Sequence, residues 1–267
     1  MRRLPARSTL TLPLLALLAL GACGGADRPT LSSVAAPTTH ATSASSDAEP
    51  QPAAASTTVA RSAPTSLDAG GLVARLRGEL QYFDAPNGSA LGTLPATTEF
   101  GSATTLAGIA WASPAQDWLR VALPIRPNGA TAYVRADAVD LGRTNLRVDV
   151  DLAARRLVVR DGADVVIDTS IAIGAIETPT PTGTFFVTDV LDNPDDSGAY
   201  GPFALGLSAH SDVLDQFGGG DGQIGIHGTD QPASIGQAAS HGCVRVPNDI
   251  VTQLAGRLPL GTPVTIR

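Results

Sequence analysis

Short apolar runs, each broken within a few residues by Gly, Pro, Asn or Asp, dominate the chain from residue 72 to near its C-terminus. Such runs alternate in and out at a period of two, and this spacing builds half-buried strands rather than helices. Leu146, Val148, Val150 and Leu152 alternate with polar residues, as one half-buried strand does. Arg156-Leu-Val-Val-Arg and Val165-Val-Ile-Asp-Thr-Ser flank Asp161-Gly162, the strongest hairpin turn of the sequence, and Ile171 and Ile173 continue the second strand. Pro179 and Pro181 interrupt the ladder because proline donates no N–H, and Phe185-Phe-Val-Thr-Asp-Val resumes it. A single helical pattern stands out after Pro247: Asn248 is placed as its N-cap, and Ile250, Leu254 and Leu258 share one face. The expected fold class is all-β, a β-sandwich with a few short helical additions.

Aromatic residues make up 4% of the chain, so Val, Leu, Ile and Ala must fill its core. Every basic residue is arginine, and the formal net charge is −7. A nucleic-acid partner needs a basic face, so this balance argues against one. The two cysteines do not suggest a structural disulfide, because Cys23 belongs to an N-terminal leader.

That leader starts with Arg2, Arg3 and Arg7 and is almost wholly apolar from Leu10 to Ala22. The apolar run is shorter than the roughly 20 residues a bilayer span requires, and it has signal-peptide proportions. Leu20-Gly21-Ala22-Cys23 resembles the bacterial lipobox, and the resemblance implies lipidation of Cys23, export, and a membrane anchor facing the cell wall. Residues 23–69 are rich in Ala, Ser, Thr and Pro, with too few large apolar groups to offset their ordering entropy. They are expected to be a disordered tether with an r.m.s. span of roughly 35–40 Å. Residues 70–142 carry the turn pairs Asn87-Gly88 and Asn128-Gly129 among short runs. Their order loosely resembles a small Src-homology-like β-barrel, in which Trp118 and Tyr133 either fill the core or line a ligand groove. Residues 143–267 are expected to form the catalytic domain.

The chemistry is concentrated between residues 224 and 246. Ile-Gly-Ile-His-Gly-Thr is followed, after a loop, by Ser-His-Gly-Cys-Val-Arg-Val, which brings His227, Ser240, His241, Gly242, Cys243 and Arg245 into one stretch. A cysteine nucleophile needs a base for its proton and donors for the oxyanion that follows attack. Either histidine could be that base, through a thiolate–imidazolium pair that lowers the thiol pKa. The backbone of His241-Gly242-Cys243 supplies candidate donors, and Gly242 lets it approach a carbonyl. Ligation of zinc by His227, His241 and Cys243 is disfavoured, since no fourth ligand has suitable spacing. The glycine run after Phe217 does not fit a phosphate loop, because a strand-like Ile-Gly-Ile follows instead of a helix.

The pattern IHGT, SHGCVR and Asn248-Asp249, together with the opening Thr-Pro-Thr-Gly-Thr-Phe, resembles the active-site signature of the L,D-transpeptidases, the YkuD-type domain that cross-links bacterial peptidoglycan. The resemblance implies Cys243 as nucleophile and His227 as base, its ring oriented by a neighbouring carbonyl or by Thr229. It implies oxyanion or substrate roles for Ser240, His241, Gly242 and Arg245, and for Tyr200 in a loop over the substrate. Arg245 either holds the pocket geometry or steers a substrate carboxylate, or else sits in a buried ion pair that fixes the loop. The implied reaction starts with acylation of the cysteine by a stem tetrapeptide, which loses D-alanine. An amine of another stem then takes the acyl group. Neither metal nor cofactor is implied, and carbapenems are implied as acylating inhibitors. Two other readings stand beside it: an L,D-carboxypeptidase that uses water as acceptor, and an inert wall-binding lipoprotein. His40 and His210 are expected to have no catalytic part, His210 in a loop-like stretch.

Overall fold

The computed structural model describes residues 71–193, 197–217 and 220–267. The leader, Cys23, the tether and His40 lie outside the described residues. The first seven strands are β1 (Gly71–Leu76), β2 (Leu80–Phe83), β3 (Ala90–Leu94), β4 (Thr105–Trp111), β5 (Trp118–Ala122), β6 (Thr131–Arg135) and β7 (Val139–Thr144). They form one sheet in the order β3-β2-β6-β5-β4-β1-β7. Then follow β8 (Leu146–Asp151), β9 (Arg156–Asp161), β10 (Asp164–Ser170), β11 (Ile173–Gly174), β12 (Gly183–Asp192) and β13 (Phe203–His210). The chain ends with β14 (Gln223–His227), β15 (Ala238–Ser240), β16 (Val244–Arg245), the helix α1 (Asn248–Arg257) and β17 (Pro263–Ile266). Eight of these strands make a second sheet, β10-β9-β8-β17-β12-β13-β14-β16, and β11 pairs with β15 alone. The fold is all-β, as the period-two pattern predicts.

Alternation along β12 places its aromatic residues in two different cores. Phe185 and Val187 pack with Val148, Leu205, Ile226 and Leu254 in the core of the second sheet. Phe186, between them, is fully buried among Leu106, Leu119, Val121 and Val134 of the first. Polar contacts reinforce this junction. Thr98 Oγ1 donates to Asp189 Oδ1 at 2.5 Å, and Asn128 Nδ2 donates to the His210 carbonyl at 2.7 Å. Trp118 is a core residue, 3% exposed and edge-on to Phe83, so it lines no groove; Tyr133 is half-buried.

Several local expectations shift. Asp161 ends β9 opposite Asp164, so the two-residue turn is Gly162-Ala163, with Gly162 at φ 58°. Ile173 does not extend β10: Ile171 and Ala172 leave that strand, and Ile173 pairs in parallel with Ala238. Asn248 is the first helical residue rather than the cap. Pro247 holds the cap position, and the Asn248 side chain turns to another partner, Thr229. Val251 and Leu254 are the buried residues of α1, with Leu258 just beyond its end, while Ile250 is half-buried.

Candidate active site

Two strand pairings deliver Cys243. β11 holds β15 on one side, and β16 runs parallel to β14 with Ile226 opposite Val244 and His227 opposite Arg245. Cys243, one residue ahead of β16, therefore meets Gly225, whose N–H donates to Sγ at 3.3 Å. Ala172 and Arg245 exchange backbone hydrogen bonds of 2.9 Å in both directions, which clamps β16 from its other side. Buried Ser240 closes the turn from below: its Oγ donates to the Cys243 carbonyl at 2.5 Å and accepts from Gly242 N–H at 3.1 Å. Gly242 has φ 122°, and a Cβ there would lie 2.9 Å from Ile224 Cδ1. The turn thus requires glycine for both its backbone angle and its packing.

These contacts revise the oxyanion assignment. The Gly242 N–H is committed to Ser240, so it is not free to bind a substrate oxygen. The N–H groups of His241 and Cys243 donate to no group in the described fold and remain the candidates.

His227 is buried at the end of β14, and its Nδ1 lies 2.6 Å from the Gly228 carbonyl oxygen. A carbonyl only accepts, so Nδ1 carries the proton and Nε2 holds the lone pair a base needs. Burial, with the Arg245 charge adding to it, pushes the His227 pKa down to about 4. Burial also raises the Cys243 thiol above its ordinary value, outweighing the Gly225 N–H and Arg245. Desolvation therefore opposes the expected thiolate–imidazolium pair, since it disfavours both charged forms.

A cavity of about 570 Å³ opens over Cys243 and His227. Tyr200 lines it, with its ring 4.7 Å from that of His227. Its hydroxyl pKa is raised by burial and by the neighbouring Cys243. His241 is not on this lining: its exposed ring stacks at 5.1 Å on Phe217, which is. Arg245 forms no ion pair among the described residues, and its buried Nε has no hydrogen-bond partner, so the buried-pair reading does not hold. Among the described residues no three His, Cys, Asp or Glu side chains group as metal ligands.

Three features at or near the site were not read from the sequence in the roles they take. Asn248 Oδ1 accepts from the Thr229 N–H at 2.7 Å and packs against Gly201 and Gly228, so the start of α1 secures the segment after His227. His210 ends β13, buried, with Nε2 3.0 Å from Asp221 Oδ2; it is not in a loop. Glu99 and Phe100 reach the cavity wall from the loop between β3 and β4. Asn248 stood beside the motif and was assigned a different task. The other two carried no local signal.

Fold and site together define a cysteine-centred all-β domain with a buried imidazole beside the sulfur. Residues 145–266 match the family model described as YkuD, L,D-transpeptidase catalytic domain. A Bacillus subtilis (strain 168) protein provisionally named L,D-transpeptidase YkuD is 39% identical over 119 residues, 45% of this chain and 64% of that protein. Another from the same organism, provisionally named L,D-transpeptidase YqjB, is 35% identical over 108 residues, 36% of this chain and 57% of that protein. The chain thus spans less than two thirds of these relatives. Among solved structures, an L,D-transpeptidase in complex with imipenem aligns with a TM-score of 0.40 at 12% identity, covering 61% of this chain and 90% of that one.

Proposed function

We propose that the chain is a peptidoglycan L,D-transpeptidase, a cysteine acyltransferase that joins stem peptides through a thioester at Cys243. The observation that carries this reading is the placement of Sγ. It lies in the cavity that His227 also lines, beneath the Gly225 N–H, on a turn whose own donors are the His241 and Cys243 N–H groups. Cys243 gives its proton to His227 Nε2 as sulfur attacks the penultimate carbonyl of a stem tetrapeptide. The His241 and Cys243 N–H groups stabilise the oxyanion. His227 then protonates the departing D-alanine amine, and the C–N bond breaks to leave the thioester. An amine of a second stem attacks the thioester carbonyl. A new C–N bond forms, the C–S bond breaks, and the amine proton returns through His227 to the thiol. Tyr200 flanks the imidazole as a substrate contact, and the guanidinium of Arg245 biases the site toward anionic intermediates and a substrate carboxylate.

The proposal includes a location. The leader and the lipobox-like Leu20-Gly21-Ala22-Cys23 support export and lipidation at Cys23, with residues 23–69 as tether. Residues 70–142 then act as a small barrel domain ahead of the catalytic part.

Incubation of the full chain with a carbapenem tests the reading. A mass adduct is expected that Cys243→Ala abolishes, His227→Ala slows and His241→Ala retains. With a purified stem tetrapeptide the product is a cross-linked dimer. Trimmed tripeptide alone would mark a carboxypeptidase, and a folded protein that forms no adduct would sink the enzyme reading.

A further inference from the structure

The loop between β5 and β6 belongs to the first sheet, yet two of its side chains bond the second part of the chain. Arg126 Nη1 donates to the Ser211 carbonyl at 2.7 Å, and Nη2 donates to the carbonyls of Leu214 and Asp221 at 3.0 and 2.8 Å. Two residues on, the Asn128 amide pairs with the His210 backbone as a strand would. Its Oδ1 accepts from the His210 N–H at 2.9 Å and its Nδ2 donates to the His210 carbonyl at 2.7 Å. Arg126 forms no ion pair among the described residues.

The segment held in this way joins the end of β13 to the start of β14 and is described at residues 211–217 and 220–222. It buries little apolar surface of its own: Val213 and Phe217 are 53% and 43% exposed, and Leu214 is half-buried. Where apolar contacts are few, local opening is cheap and polar anchors decide the conformation. Ser211 and Leu214 come from one arm of the segment and Asp221 from the other, so one guanidinium ties the two arms together. The tied residues reach the sulfur's cavity. Phe217, Gly220 and Asp221 line it beside Cys243 and His227, and Phe217 also stacks on His241, two residues before the nucleophile.

Resting on the proposed peptidyl-transfer reading, we propose that Arg126 is a positioning residue for stem-peptide binding, one that acts through this segment to hold Phe217 and Asp221 as cavity wall. Arg126 itself does not line the cavity. The working site is then not contained in residues 145–266. It needs the β5–β6 loop of the first sheet, as well as Glu99 and Phe100 from the β3–β4 loop. The first sheet completes the site rather than acting as a spacer alone.

Calorimetry and hydrogen exchange on the full chain test this without turnover. Binding of a stem tetrapeptide is read in Cys243→Ala, alone and combined with Arg126→Ala, Arg126→Lys or Arg120→Ala. Arg126→Ala should raise Kd by about tenfold, and Arg126→Lys nearly as much. Lysine keeps the charge and loses the planar fork, so this outcome separates the tie from attraction of an anionic peptide by charge alone. Arg120 bonds Thr131 within the first sheet at 3.2 Å, and Arg120→Ala should leave Kd unchanged. The N–H groups of Ser211, Leu214 and Phe217 are bonded within the segment and should exchange faster in both Arg126 variants. Unchanged protection over β12 and β13 would show the fold intact. Failure of Cys243→Ala itself to bind the tetrapeptide would count against the transfer reading, while the exchange comparison still decides the tie. Unchanged exchange over residues 211–217 in Arg126→Ala, an unchanged Kd in that variant, or a Kd that Arg126→Lys restores would overturn the inference.

Discussion

His227 Nδ1 lies 2.6 Å from the Gly228 carbonyl, and this contact fixes which face of the imidazole can act as a base. The bond requires a proton on Nδ1, which leaves Nε2 as the basic nitrogen, and burial keeps the ring neutral down to a pH of about 4. The acid limb of Cys243 acylation should therefore fall near pH 4 rather than near the ordinary histidine value of about 6.5. The rate of carbapenem adduct formation across pH 3.5–8 measures it. A limb at 6.5 would contradict the burial argument.

Stability follows from the same shift. A histidine whose folded pKa lies below its unfolded value binds more protons when unfolded, so stability falls as pH drops from about 6.5 toward 4. The full effect is about 3 kcal/mol. Denaturant titrations at pH 7 and pH 4 should show this loss, and His227→Gln should shrink it.

Ser240 holds both ends of the Cys243 turn, donating to one carbonyl and accepting from one N–H. Ser240→Ala leaves the Gly242 N–H unpaired at a cost of about 1–3 kcal/mol, and it loosens the nucleophile. Adduct formation should slow by at least about tenfold while the protein remains folded, since a displacement of about 1 Å costs two orders of magnitude in rate. Gly242→Ala acts through backbone strain and the Ile224 contact, and should be at least as damaging by the same assay.

Asn248 supports the histidine side in a comparable way. Asn248→Ala removes the acceptor of the Thr229 N–H and should cost about 1–2 kcal/mol, with slower acylation. Asn248→Asp keeps an acceptor oxygen and should restore most of both. Thermal unfolding and adduct kinetics on the pair separate the hydrogen bond from helix propensity.

Phe186 belongs to the second sheet by strand and to the first by packing. Phe186→Ala should cost about 3–5 kcal/mol. Both tryptophans, Trp111 and Trp118, lie in the first sheet, so fluorescence follows its unfolding while far-UV circular dichroism follows both sheets. The two probes are expected to shift together. Separate transitions would show that the sheets melt independently.

The sequence by itself determined most of the strands, the turns at Asn87-Gly88 and Asn128-Gly129, the one substantial helix and the stretch carrying Cys243 and His227. All of these follow from neighbours a few residues apart: alternation, the φ of glycine, the missing N–H of proline, and a short motif. Only the tertiary structure decided which histidine shares the cavity with the sulfur, because the ring of His241 is drawn out to Phe217 while β14 carries His227 inward. It also decided that Gly242 spends its N–H on Ser240, that Asn248 serves Thr229 rather than its own helix, and that Glu99 reaches the groove from another sheet. The physical reason is desolvation together with closure over long sequence distances. The charge state of His227 and Cys243 depends on how much water the whole fold removes, and no local pattern encodes that quantity.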